Sequence, residues 1–149
     1  MFRGCTPVFG KPEVEYDLND PEQRDKLGIS HDGKYADGYC HFRNCTWLVE
    51  ERKGAHHIKV AIEQLESTVK QLLAKGHKVT MTIIRMQKFS RAEQRRFYVD
   101  PRSHNVRLSK KAKDIRIAGI DTPVKVVFEA NLEHDLADLR ENPWASLSV

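Results

Sequence analysis

Two carboxylates and an ammonium group carry the first chemical signal in this chain. Lys34 to Phe42 and Thr46 to Lys53 are short segments rich in aromatic and β-branched residues, the composition of strands. Arg43-Asn44-Cys45 between them reads as a three-residue hairpin loop. On that register Phe42 faces Thr46, Asp37 faces Glu51 and Tyr35 faces Lys53. Opposed residues share one face of a ribbon with Cβ atoms about 4.5–5.5 Å apart. Glu51 and Lys53, two positions apart, share that face too. Two carboxylates this close repel each other, and a divalent cation reverses the sign. Mg²⁺ or Mn²⁺ takes oxygen ligands, often one or two carboxylates with waters and a phosphate. It can acidify a water and polarise a phosphoryl oxygen, while a neighbouring lysine stabilises developing negative charge. The chemistry implied is phosphodiester hydrolysis.

The elements that must hold these residues are legible around them. Ile58, Ile62, Leu65, Val69 and Leu72 recur at helical spacing, and Gly76 stands where a C-cap belongs. A helix is therefore expected from about Ala55 to Lys75. Lys78 to Met86 reads as a strand that returns parallel to Thr46–Lys53 through a right-handed crossover. Pro21 to Lys26 is expected to form a short helix with Asp20 as its N-cap, inside a segment, Met1 to Gly33, that otherwise reads as loop. Ser90 to Arg95 suggests a helical turn, Arg96–Val99 and Asn105–Leu108 a hairpin, Ile115–Ile120 and Val124–Glu129 further strands, and Leu132–Leu139 a short helix. The expected fold is α/β, a mixed central β-sheet with flanking helices.

The runs Lys34-Tyr35-Ala36-Asp37-Gly38-Tyr39, Leu48-Val49-Glu50-Glu51-Arg52-Lys53-Gly54 and Ala61-Ile62-Glu63-Gln64-Leu65 occur in that order. Together they resemble the restriction-endonuclease-like PD-(D/E)xK nuclease superfamily, with Ala36 where its signature has proline. The resemblance covers Lys34 to Met86, a little over a third of the chain. It implies a restriction-endonuclease-like core and metal-binding roles for Asp37, Glu51 and the main-chain carbonyl of Arg52. It further implies a catalytic role for Lys53 and an accessory role for Gln64.

The 149 residues suit one domain, with 40% hydrophobic and 31% charged residues. It divides into an irregular segment (residues 1–33), the core motif (34–86), and a basic hairpin region with further strands and an acidic tail (87–149). The formal net charge is only +4, yet Arg85 to Arg116 holds eleven Lys/Arg against three acids. Such a stretch suits phosphate contact, and the candidate cations are Arg85, Lys88, Arg91, Arg95, Arg96, Arg102, Arg107, Lys110 and Lys111. No apolar run reaches the roughly 18–20 residues that span a bilayer, and Met1 to Gly10 does not read as a secretion signal. A cytoplasmic location without membrane association is expected. Cys5, Cys40 and Cys45 are an odd set. Cys40 and Cys45 flank the turn without a second cysteine pair to complete zinc ligation, and reduced thiols are expected there.

The expected function is a metal-dependent nuclease acting on nucleic acid, DNA favoured over RNA. A second reading keeps the fold without the chemistry: an inactive nucleic-acid- or protein-binding subunit, self-associated or part of a larger assembly. A third is a basic α/β RNA-binding domain of ribosome-associated type. Lys75-Gly76-His77-Lys78-Val79-Thr80-Met81-Thr82-Ile83 resembles the C-terminal domain of translation initiation factor three.

Overall fold

The computed structural model describes residues 12–30, 34–42, 45–51, 58–86, 91–108 and 113–128. Along the chain the elements are β1 (Val14–Asp17), α1 (Pro21–Leu27), β2 (Gly38–Phe42), β3 (Cys45–Glu51), α2 (Ile58–Ala74), β4 (Met81–Met86) and α3 (Arg91–Gln94). They are followed by β5 (Phe97–Val99), β6 (Val106–Leu108), β7 (Lys113–Asp114), β8 (Arg116–Ile117) and β9 (Thr122–Phe128). The expected mixed α/β architecture is present. A six-stranded sheet runs β1-β2-β3-β4-β9-β8, and a three-stranded ribbon runs β5-β6-β7. β1, β2 and β3 pair antiparallel, whereas β3, β4 and β9 run parallel.

The parallel crossover follows from the amphipathic helix between β3 and β4. Ile58, Ala61, Leu65, Val69 and Leu72 are buried on α2, in one cluster with Leu48, Ile84, Met86, Val124 and Val126 of the sheet. The helix stops at Gly76, whose φ of 83° is left-handed. There the Gly76 and His77 amides donate to the carbonyls of Leu73 and Leu72, closing a Schellman cap. Side-chain alternation sends Val49, Ile83, Arg85, Lys125 and Val127 to the other face, and it is buried as well. All six residues of β4 are buried, which is why its sequence reads as a nearly continuous apolar run. α1 forms as expected, with the Asp20 side chain accepting from the Glu22 amide. None of the helices among the described residues is long and apolar enough to cross a membrane.

Several expectations need correction. The hairpin exists, but Phe42 pairs with Cys45 and Gly38 with Val49, so residues 43 and 44 alone separate the paired ends. The register is one residue shorter than expected, and a slip of one exchanges the faces of a strand. Asp37 is therefore not the cross-strand partner of Glu51. β1 lies in the N-terminal segment read as loop; it pairs Val14 with His41 and Asp17 with Gly38. β4 starts at Met81 rather than Lys78. Ile115–Ile120 shrinks to Arg116–Ile117, because the chain turns through Asp121 at φ 51° into β9. Cys40 is disulfide-bonded rather than a reduced thiol, and its partner lies outside the described side chains. Disulfides are rare in a reducing cytosol, so the cysteines lend no support to a cytoplasmic location. Residues 55–57 of the expected main helix and Leu132–Leu139 lie outside the described residues.

Candidate active site

Asp37 stands immediately before β2, and three elements fix its backbone. Its carbonyl accepts from the Leu18 amide at 2.9 Å, and its own amide donates to the Val49 carbonyl at 3.0 Å. One residue earlier, the buried Ala36 amide donates to Thr68 Oγ1 at 2.7 Å, and that hydroxyl donates on to the Gln64 carbonyl at 2.8 Å. A small residue is needed at Ala36, which is fully buried beneath the helix. Helix α2 thus holds the strand that carries Asp37.

The Asp37 carboxylate then reaches across the hairpin. Oδ2 accepts from the Glu51 amide at 2.7 Å, and Oδ1 accepts from the Asn19 side-chain amide at 3.2 Å. Although the register differs from expectation, Asp37 and Glu51 still meet, through carboxylate and amide rather than side chain against side chain. Glu51 ends β3, and Arg85 is its neighbour on the parallel strand β4. Arg85 Nη1 lies 3.1 Å from Glu51 Oε1, with side-chain exposures of 9% and 5%. Both residues sit at the carboxyl ends of parallel strands, the edge where open α/β sheets bind their ligands.

This arrangement fits a hard cation in part. A carboxylate has about four lone-pair positions, so one that accepts a hydrogen bond can still ligate, and Mg²⁺ needs only one or two carboxylates. Arg85 competes for Glu51 and also offsets its charge. Among the described residues no group of three or more His, Cys, Asp or Glu could enclose a metal. Gln64, half-buried on α2, belongs to the helical turn that clasps Ala36. Lys53 and Arg52 lie outside the described residues, as do Lys88, Lys110 and Lys111.

The remaining candidate cations separate into two kinds. Arg91, Arg95, Arg96 and Arg102 are exposed, whereas Arg85 is in the sheet beside Glu51. Arg107 is between these extremes, 3.1 Å from Asp100 Oδ2 and 2.7 Å from Asp114 Oδ1. The amides of Arg102 and Ser103 donate to Asp100 Oδ1. The Arg102 amide first, with Ser103 and the Arg107 charge, holds the Asp100 carboxyl below its usual range.

Sequence reasoning missed three participants, Asn19, Thr68 and Arg85 as the partner of Glu51, and outside the site it missed Lys125. Lys125 is fully buried, donating to the Ser103 carbonyl at 2.6 Å and Asn105 Oδ1 at 3.0 Å. Burial pushes its pKa down to about 8, against the opposing pull of Asp114 and Asp100. A lone lysine inside the apolar run Thr122–Phe128 was the available signal for it. Arg85 could have been found by aligning the ends of two strands joined by a crossover helix. Asn19 and Thr68 have no local signature, since each acts on a residue far away in sequence.

Compared with protein families, curated proteins and solved structures, the chain matches none.

Proposed function

We propose that this chain is a Mg²⁺- or Mn²⁺-dependent nuclease of restriction-endonuclease-like type, hydrolysing phosphodiester bonds of DNA. The observation that carries the reading is the convergence of Asp37 on the end of β3, its carboxylate 2.7 Å from the Glu51 amide. Support also comes from the strand order β2-β3-β4 and the α2 crossover, the frame on which the Asp and Glu-x-Lys motifs are expected. In this reading Asp37, Glu51 and the Arg52 carbonyl hold the cation. When bound, it acidifies a water and neutralises charge on the phosphoryl group. Lys53 orients the attacking water and meets the charge that develops. Gln64 supports the site from α2, and the exposed arginines hold the nucleic-acid backbone.

The test is incubation of the protein with single- and double-stranded DNA and RNA in Mg²⁺, Mn²⁺ or EDTA. Cleavage that needs the metal and disappears in Asp37→Asn and Lys53→Ala is expected. Metal-dependent cleavage that survives both substitutions removes the site.

The Glu51–Arg85 ion pair favours a second reading, a binding subunit without catalysis that works within a larger assembly, because one proposed ligand is already neutralised. Salt-sensitive DNA binding with no cleavage under any metal distinguishes it.

A further inference from the structure

The ribbon β5-β6-β7 has one face in the core and one in water. Phe97 and Val106 are buried, and alternation turns Tyr98 the other way, where it is 50% exposed. Tyr98 pairs with Arg107 in the β5–β6 register, and Arg107 with Asp114 in β6–β7, so these three side chains share the outer face.

The acids of that face are engaged within the ribbon. Asp100 and Asp114 both grip Arg107. The second Asp114 oxygen accepts from Asn105 Nδ2 at 3.2 Å. Beyond these pairs, Arg91, Arg95, Arg96, Arg102 and Lys113 are exposed, and Glu93 is the only other acid between Arg91 and Asp114. The surplus of positive charge therefore faces outward.

The ribbon is also anchored. Asn105 bridges to Lys125 on β9, the Val126 amide donates to the His104 carbonyl at 2.9 Å, and the buried Lys125 ammonium ties down Ser103 and Asn105. Tyr98 is thus an aromatic ring displayed on a firm support beside its cross-strand partner Arg107, in a stretch whose other arginines are exposed.

We infer that this ribbon binds single-stranded nucleic acid, with Tyr98 stacking on an unpaired base and Arg91, Arg95, Arg96 and Arg102 contacting the phosphates. Arginines alone would serve a duplex equally well, because a duplex offers phosphates along its whole length. The exposed ring adds selectivity, since only an unstacked base presents its face to an aromatic side chain. The inference rests on the nucleic-acid reading above and narrows it to a substrate with an unpaired segment.

Fluorescence anisotropy in EDTA tests it without requiring cleavage. The probes are labelled oligothymidine of about 16 nucleotides, at the upper end of known site sizes, and a duplex of the same length. The single strand should bind more tightly than the duplex. Tyr98→Ala should weaken single-strand binding on the order of ten-fold, the scale of base–aromatic stacking, and leave duplex binding unchanged. Tyr98→Phe, which keeps the ring, should bind as the wild type does. Single-strand affinity unaltered by Tyr98→Ala overturns the inference, as does equal weakening of both probes or a preference for duplex. If any of these appears while metal-dependent cleavage persists, the nuclease reading stands and only the ribbon assignment fails.

Discussion

Arg85 and Glu51 lie side by side at the carboxyl ends of two parallel strands, Nη1 to Oε1 at 3.1 Å, both nearly closed off from water. The pairing is a product of the crossover, because α2 lies between β3 and β4 in the chain and their parallel register sets Glu51 against Arg85. Removing one partner of a buried pair strands the other charge. Arg85→Ala is expected to destabilise the fold by about 3–5 kcal/mol, measured by urea denaturation. The double substitution Arg85→Met with Glu51→Gln, which removes both charges, should cost far less than the single change. A double variant as unstable as Arg85→Ala would show that the charges are not the source.

Asp37 contributes to structure as well as to the proposed chemistry. Asp37→Ala takes the acceptor from the Glu51 amide and from Asn19, and should cost about 1–3 kcal/mol. Asp37→Asn keeps an acceptor oxygen and should lie closer to wild type in stability, yet lose metal-dependent cleavage. Denaturation curves for both variants beside cleavage assays separate the two contributions.

The Thr68 hydroxyl ties α2 to the Ala36 amide. Thr68→Val preserves shape but leaves that buried amide without its acceptor, at an expected cost of about 1–3 kcal/mol. Thr68→Ser should retain most of the stability. Amide hydrogen exchange at Ala36 should accelerate in the valine variant and stay slow in the serine variant.

Lys125 predicts a pH dependence. Its pKa is lowered to about 8 in the folded chain, against about 10.4 for an unperturbed lysine. Between those values the unfolded chain binds the proton and the folded chain has released it, so this residue makes stability rise with pH across the window. Lys125→Met should lack that component. Denaturation free energies of wild type minus variant, plotted from about pH 7 to pH 10, should climb. A flat difference would mean that the ammonium is not suppressed by burial.

The sequence is legible where the physics is local. The α2 stripe, the Asp20 cap, the Gly76 stop and the strand pairing around residues 43 and 44 depend on neighbours in sequence, and each is present. The hairpin register is not legible in the sequence because loop length depends on how two strands meet, and Cys45 is as acceptable at the start of a strand as in a turn. β1 is not legible in the sequence because four residues, Val14–Asp17, lack the length to show alternation. They become a strand only through pairing with β2.

The types and order of Asp37, Glu51, Lys53 and the following amphipathic helix were fixed by the amino-acid chain alone, as was the concentration of basic residues from Arg85 to Arg116. Tertiary structure alone decided which of these groups touch. It gave Glu51 to Arg85, brought Asn19 and Thr68 to the Asp37 strand, buried Lys125, and left Tyr98 in water. The physical reason is that periodicity and caps act within a few residues, whereas ion pairs and burial arise where sheet order and register bring distant segments together.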